Sequence, residues 1–185
     1  MKRTMLGILA VLLLPFIATA QQPAQPAAGP EANPVSSAVR RITERQVKNM
    51  VAAMEAMPAE KYGFKPTPDQ MTFGHLGVHI AETNNFLCSS ISGTPAPADE
   101  KLAGTEPKEK LVAAVKSSFD YCTQALAKMD DSNLGEQVPF FGGRKVSRAT
   151  AMIVLAAAFS DHYGAEAMYL RLNGVVPPSA QPKKD

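Results

Sequence analysis

Between residues 106 and 129, Leu111, Val115, Phe119, Cys122, Leu126 and Met129 recur in steps of four or three. That rhythm draws one continuous apolar seam along a helix, the kind of seam that packs against other helices. A strand would need alternation by twos, so the segment has few other fates. Three more segments carry a helical pattern. Ser36 to Met57 places Val39, Ile42, Val47, Met50, Val51, Met54 and Met57 near one stripe, with Arg40, Arg41, Glu44, Arg45 and Lys48 on the wet side. Thr72 to Ile91 groups Phe73, Leu76, Ile80, Thr83 and Leu87, with Thr72 as the expected N-cap. Ser147 to Asn173 aligns Met152, Leu155, Phe159, His162, Glu166 and Tyr169. Gly174 follows as a helix stop and Pro177 blocks continuation. Thr105 is placed to cap the third helix, with Pro107 in its first turn.

The expectation is an all-α four-helix bundle. Composition agrees: aromatics are 6% of the chain, Trp is absent, and 45% of residues are hydrophobic. Before the last helix, Val138, Phe140 and Phe141 lead into Gly142-Gly143, which reads as a short hairpin or an ordered loop.

The ends read differently. Residues 1–20 have the three parts of a secretory signal peptide: basic Lys2-Arg3, an apolar run from Met5, and the small-x-small site Ala18-Thr19-Ala20. Export to the periplasm or medium is expected, with cleavage after Ala20 and no stable membrane span left behind. Residues 21–35 are a Pro/Ala/Gln-rich linker, 36–176 the bundle, and 177–185 a flexible tail. The chain has 19 Lys and Arg against 17 Asp and Glu. Two of the basic residues leave with the signal, so the mature charge balances at 17 against 17. No concentrated basic face is left to favour nucleic acid.

Two residue pairs constrain the topology. His79 lies roughly 18 Å from the end of the second helix and His162 roughly 22 Å from the start of the fourth, at helical rise. The two rings come level only if those helices are antiparallel. Cys88 and Cys122 lie roughly 5 Å and 11 Å from the ends of the second and third helices, and meet only if these run parallel. Together the pairs favour an up-down-down-up order. Export favours a Cys88–Cys122 disulfide over the alternative of two buried thiols.

Two motifs now carry a resemblance. Met71-Thr72-Phe73-Gly74-His75-Leu76-Gly77-Val78-His79-Ile80-Ala81 resembles the second-helix signature of the DinB-like superfamily. Asp161-His162-Tyr163-Gly164, with Tyr169-Leu170-Arg171-Leu172-Asn173-Gly174 and Pro177-Pro178, resembles its fourth-helix end. Phe64-Lys65-Pro66-Thr67-Pro68 also fits, and the likeness spans about residues 36–180. The resemblance implies a four-helix bundle, often a homodimer, with three histidines around a divalent metal such as Zn or Ni. Members with known activity are mostly metal-dependent thiol transferases or hydrolases. The second-helix ligand falls on His79 and the last of the fourth-helix pair on His162. The first of that pair falls on Ala158, which cannot bind a metal.

Glu166, four residues after His162, is the foremost substitute donor; Glu82 and His75 are others. The competing reading leaves both glutamates as solvated surface groups and His75 serving the helix start. Asp161 points about 100° away from His162 and is not a co-ligand. Gly164 either opens backbone near His162 or permits close helix packing. Tyr169 and Arg171 match the end motif, or are one packing aromatic and one surface cation.

No phosphate loop, dinucleotide fingerprint, CxxC pair or hydrolase triad occurs, so no nucleotide or flavin cofactor and no catalytic residue is assigned. The functional expectation is an exported metal-dependent hydrolase or transferase with a degenerate histidine site. Its alternative is a non-catalytic bundle that binds a small ligand or a protein partner.

Overall fold

Asp131, far along the chain, caps the first helix. Its carboxylate accepts hydrogen bonds from Val35 N–H and Ser36 N–H, each 2.9 Å, and from the Ser36 hydroxyl. In return Asn33 Oδ1 accepts from Asp131 N–H at 3.0 Å. Pro34 can open the helix because its missing N–H would have no intrahelical partner. The computed structural model, which describes residues 29–98 and 101–182, thus begins α1 inside the expected linker. The signal-like segment and most of the linker lie outside the described residues.

Four long helices follow the sequence pattern: α1 (Pro34–Ala56), α2 (Phe73–Ser92), α3 (Lys108–Ala127) and α4 (Arg148–Leu172). Thr72 caps α2 by accepting from His75 N–H at 3.1 Å. Ser147 caps α4 through Thr150 N–H. Thr105 does not cap α3; its N-cap is Pro107, whose carbonyl accepts from Lys110 and Leu111 N–H. Gly93 and Gly174 take the left-handed conformation that ends α2 and α4.

Residue pairs fix the helix directions. Near the start of α2, a Cβ on Gly74 would collide with the Gly104 carbonyl oxygen, just before α3. Further along, Asn84 Nδ2 donates to Ser118 Oγ at 3.0 Å, and Cys88 is disulfide-bonded to Cys122 with Cα atoms 5.3 Å apart. α2 and α3 therefore run parallel. Arg40, early in α1, donates to the carbonyls of Leu126 and Met129, while Lys108 donates to those of Glu55 and Met57. α1 and α3 are thus antiparallel. Arg148 at the start of α4 reaches the Ile91 carbonyl at the end of α2, and Tyr169 reaches Met71 at its start. The order is up-down-down-up, as the His and Cys pairs suggested. α2 packs on α3 and α4, and α1 on α4 and α3.

The buried faces of α2 and α4 contain every residue named for those stripes. α1 differs. Ser36, Val39, Thr43, Gln46, Met50, Ala53 and Met54 face inward, and Ile42 and Val47 are only half-buried. Thr43 can do so because its hydroxyl donates to the Val39 carbonyl at 2.8 Å within the same helix.

The ambiguous segment is a hairpin. β1 (Gln137–Pro139) pairs antiparallel with β2 (Lys145–Ser147). Phe141 at its tip stacks on Phe86 of α2, with centroids 4.5 Å apart. The expected tail also departs from its reading. Pro177 is buried, and Ser179 N–H donates to the Tyr163 hydroxyl at 2.8 Å. The chain to Gln181 forms a 3-10 turn against α1 rather than a free end.

Candidate functional site

α2 carries His79 and α4 carries His162 on facing surfaces. Their imidazole centroids are 5.0 Å apart, with ring planes at 76°. Two rings this close can both reach one ion at nitrogen–metal distances of about 2.0–2.1 Å. His162 is buried and its Nδ1 has no hydrogen-bond partner. Burial first, and the neighbouring His79 second, push its pKa down to about 4, against a weaker opposing effect of Asp161. At neutral pH the His162 ring is uncharged, with a nitrogen lone pair free to accept a proton, a hydrogen bond or a metal.

The rings open into a cavity of ≈ 350 Å³ whose wall also includes Asp69, Met71, Asp161, Met168 and Tyr169. The segment before α2 forms one side of it. Tyr169 holds that segment by donating its hydroxyl to the Met71 carbonyl at 2.7 Å. Phe64 and Phe73 pack against the Tyr169 ring at 6.1 and 5.9 Å. Both Asp69 and Asp161 are exposed, and among the described residues no Lys or Arg lines the cavity. A larger cavity, ≈ 530 Å³, lies between α2 and α3 beside Glu82, Lys101 and Lys110. Neither histidine of the pair lines it.

The substitute donors do not join the pair. Glu82 is exposed and turned to that second cavity. His75 is exposed, with Gly104 against its backbone and Cβ. Ala158 is half-buried one turn before His162. Among the described residues, no three His, Cys, Asp or Glu side chains are grouped to hold a metal.

Glu166 is neither a surface group nor part of such a group. It is fully buried, and both carboxyl oxygens lack a hydrogen-bond partner. Burial pushes its pKa well above the ordinary carboxylate range, which favours the neutral acid. Its charge would be felt at Tyr62, whose phenol is raised by burial first and Glu166 second. Tyr62 has already committed its hydroxyl to the Met54 carbonyl at 2.6 Å. The pair brings two nitrogen donors, and among the described residues no third His, Cys, Asp or Glu is grouped with them.

Of the remaining readings, Tyr169 is a structural part of the site and Arg171 is an exposed cation. Nothing lies within 4 Å of where a Gly164 Cβ would sit, so close packing does not explain that glycine. Sequence reasoning missed Asp69, Met71 and Met168, which belong to no apolar stripe.

A four-helix bundle with a histidine pair on facing inner surfaces defines the class: helical bundles that build their sites between helices. The sequence profile of the DinB superfamily matches residues 42–165, and the chain belongs to that superfamily. Its fold is similar to a DinB-like protein from Bacillus subtilis, with TM-score 0.64 and 17% identity over 79% of this chain and 99% of that one. It is equally similar to a DinB-like protein from Bacillus cereus, with TM-score 0.64 and 16% identity over 77% and 95%. A mycothiol-dependent maleylpyruvate isomerase matches with TM-score 0.57 and 13% identity, over 70% of this chain and 59% of that one. Identities this low speak for the fold alone. No curated protein matches the chain.

Proposed function

We propose that the chain is an exported DinB-superfamily bundle that binds a small ligand in the cavity beside His79 and His162, without a three-donor divalent-metal centre. One observation carries this reading: the two histidines lie together, Ala158 stands where a third would be expected, and no third His, Cys, Asp or Glu among the described residues is grouped with them. A catalytic zinc ordinarily needs three protein ligands and an open position. The cavity is within the size range of small-molecule sites and is walled by both apolar and polar groups. Export is supported by the signal-like pattern of residues 1–20 and by the Cys88–Cys122 bridge, a bond that oxidising compartments preserve.

The second reading, a metal-dependent hydrolase or transferase, needs a donor from outside the described arrangement. Metal titration of the tag-free mature protein separates the two. The wild type is expected to bind Zn(II) and Ni(II) weakly. Ala158→His places a second histidine four residues before His162, on one helical face, and is expected to raise the affinity at least ~100-fold. Tight stoichiometric zinc in the wild type would overturn the proposal.

A further inference from the structure

The described residues contain seven methionines, and they divide sharply. Met50, Met54, Met57 and Met152 are 0% exposed, and Met129 is half-buried. Met71 and Met168 are 39% and 58% exposed, and both line the cavity that His79 and His162 line. They come from different elements, one from the segment before α2 and one from α4. Leaving two long apolar side chains in water forfeits burial energy. Lining the same cavity as the histidine pair suggests a use for their sulfur.

The donor set then has a definite chemistry. A thioether is soft, neutral and a poor partner for Zn(II) or Ni(II), whereas imidazole with thioether suits Cu(I). His162 brings a buried nitrogen with no partner. The exposed carboxylates of Asp69 and Asp161 add attraction for a cation, and no Lys or Arg is among the described residues that line the cavity. Methionine has three rotatable bonds, so exposed Met71 and Met168 side chains can swing onto an ion held by the rings.

We propose that His79, His162, Met71 and Met168 form a Cu(I) site. The inference rests on the reading of this cavity as a ligand site and names its ligand. Binding needs no change of oxidation state. A filled d shell and four protein donors leave no activated water, in keeping with binding rather than hydrolysis.

The test uses the mature, tag-free, oxidised protein under anaerobic ascorbate, which maintains Cu(I). Cu(I) is titrated against a chromophoric Cu(I) chelator, and Ag(I) serves as a redox-inert mimic. One equivalent of Cu(I) should be held in competition with the chelator. Met71→Leu and Met168→Leu should each weaken it at least ~10-fold while leaving the circular dichroism unchanged, since Leu conserves volume. Failure of the wild type to compete overturns the proposal. Cu(I) affinity that His79→Ala or His162→Ala abolishes, but that both Leu variants keep, overturns the thioether assignment and leaves the histidine cavity as a ligand site. Tight Zn(II) binding through the same histidines would instead overturn the underlying reading of the site.

Discussion

Replacing Glu166 by glutamine keeps the shape and removes the ionisation. In the folded protein the Glu166 carboxyl is buried without a partner and resists losing its proton. In the unfolded chain it ionises near its ordinary value of 4.5. Above that pH the unfolded state binds one proton fewer, so wild-type stability falls by about 1.4 kcal/mol per pH unit. The fall continues until Glu166 ionises within the fold.

His162 works in the opposite direction. Its pKa drops from 6.5 unfolded to about 4 folded, so stability is lost as pH falls through that window. The span corresponds to roughly 3 kcal/mol. Between pH 4.5 and 6.5 the two effects oppose each other in the wild type. Glu166→Gln should uncover the His162 slope, with stability rising toward pH 6.5 and then levelling. Urea unfolding of both proteins from pH 4 to 7.5 measures this. The stability difference between them should widen by about 1.4 kcal/mol per unit above pH 4.5. A constant difference would refute the reasoning, because it would mean the carboxyl is hydrated or paired. A difference of opposite sign would mean that a bound cation neutralises it.

Replacing both Cys88 and Cys122 by alanine opens a 34-residue separation and should cost roughly 4 kcal/mol, read from the urea midpoint. Gly164→Ala should gain about 1 kcal/mol, since a Cβ there meets nothing and Gly is a poor helix former. A loss instead would show that this face is covered in the working protein. Tyr169→Phe should cost about 1 kcal/mol and speed amide exchange in the segment around Met71, whose carbonyl loses its donor.

Much of the bundle could be read from spacing because its inner faces are conventional. The α2 and α4 stripes were legible residue by residue, and the heights of two side-chain pairs were enough to order the helices. α1 was less legible. Thr43 hides its hydroxyl on its own helix, so its polarity pointed outward while its side chain points in. The Asp131 cap could not be read locally, since nearly a hundred residues separate it from the helix it starts. The site was half legible. His79 and His162 sit on apolar stripes, and their meeting followed from the topology. Glu166 sat on the right face, but its full burial without a hydrogen-bond partner depended on how the helices pack, which spacing does not show. Met71 and Met168 were invisible for a related reason: exposed positions follow no apolar rhythm.

The parallel pairing of α2 and α3 has a consequence for the continuity of the chain. The crossover that returns from Gly93 to Gly104 is one covalent path between them, and the Cys88–Cys122 bridge is a second, running through the core. A protease that cut the crossover would sever the polypeptide without separating its halves. Four helices would stay tethered two and two through a single sulfur–sulfur bond, and the fragments would part only when a reductant and unfolding acted together.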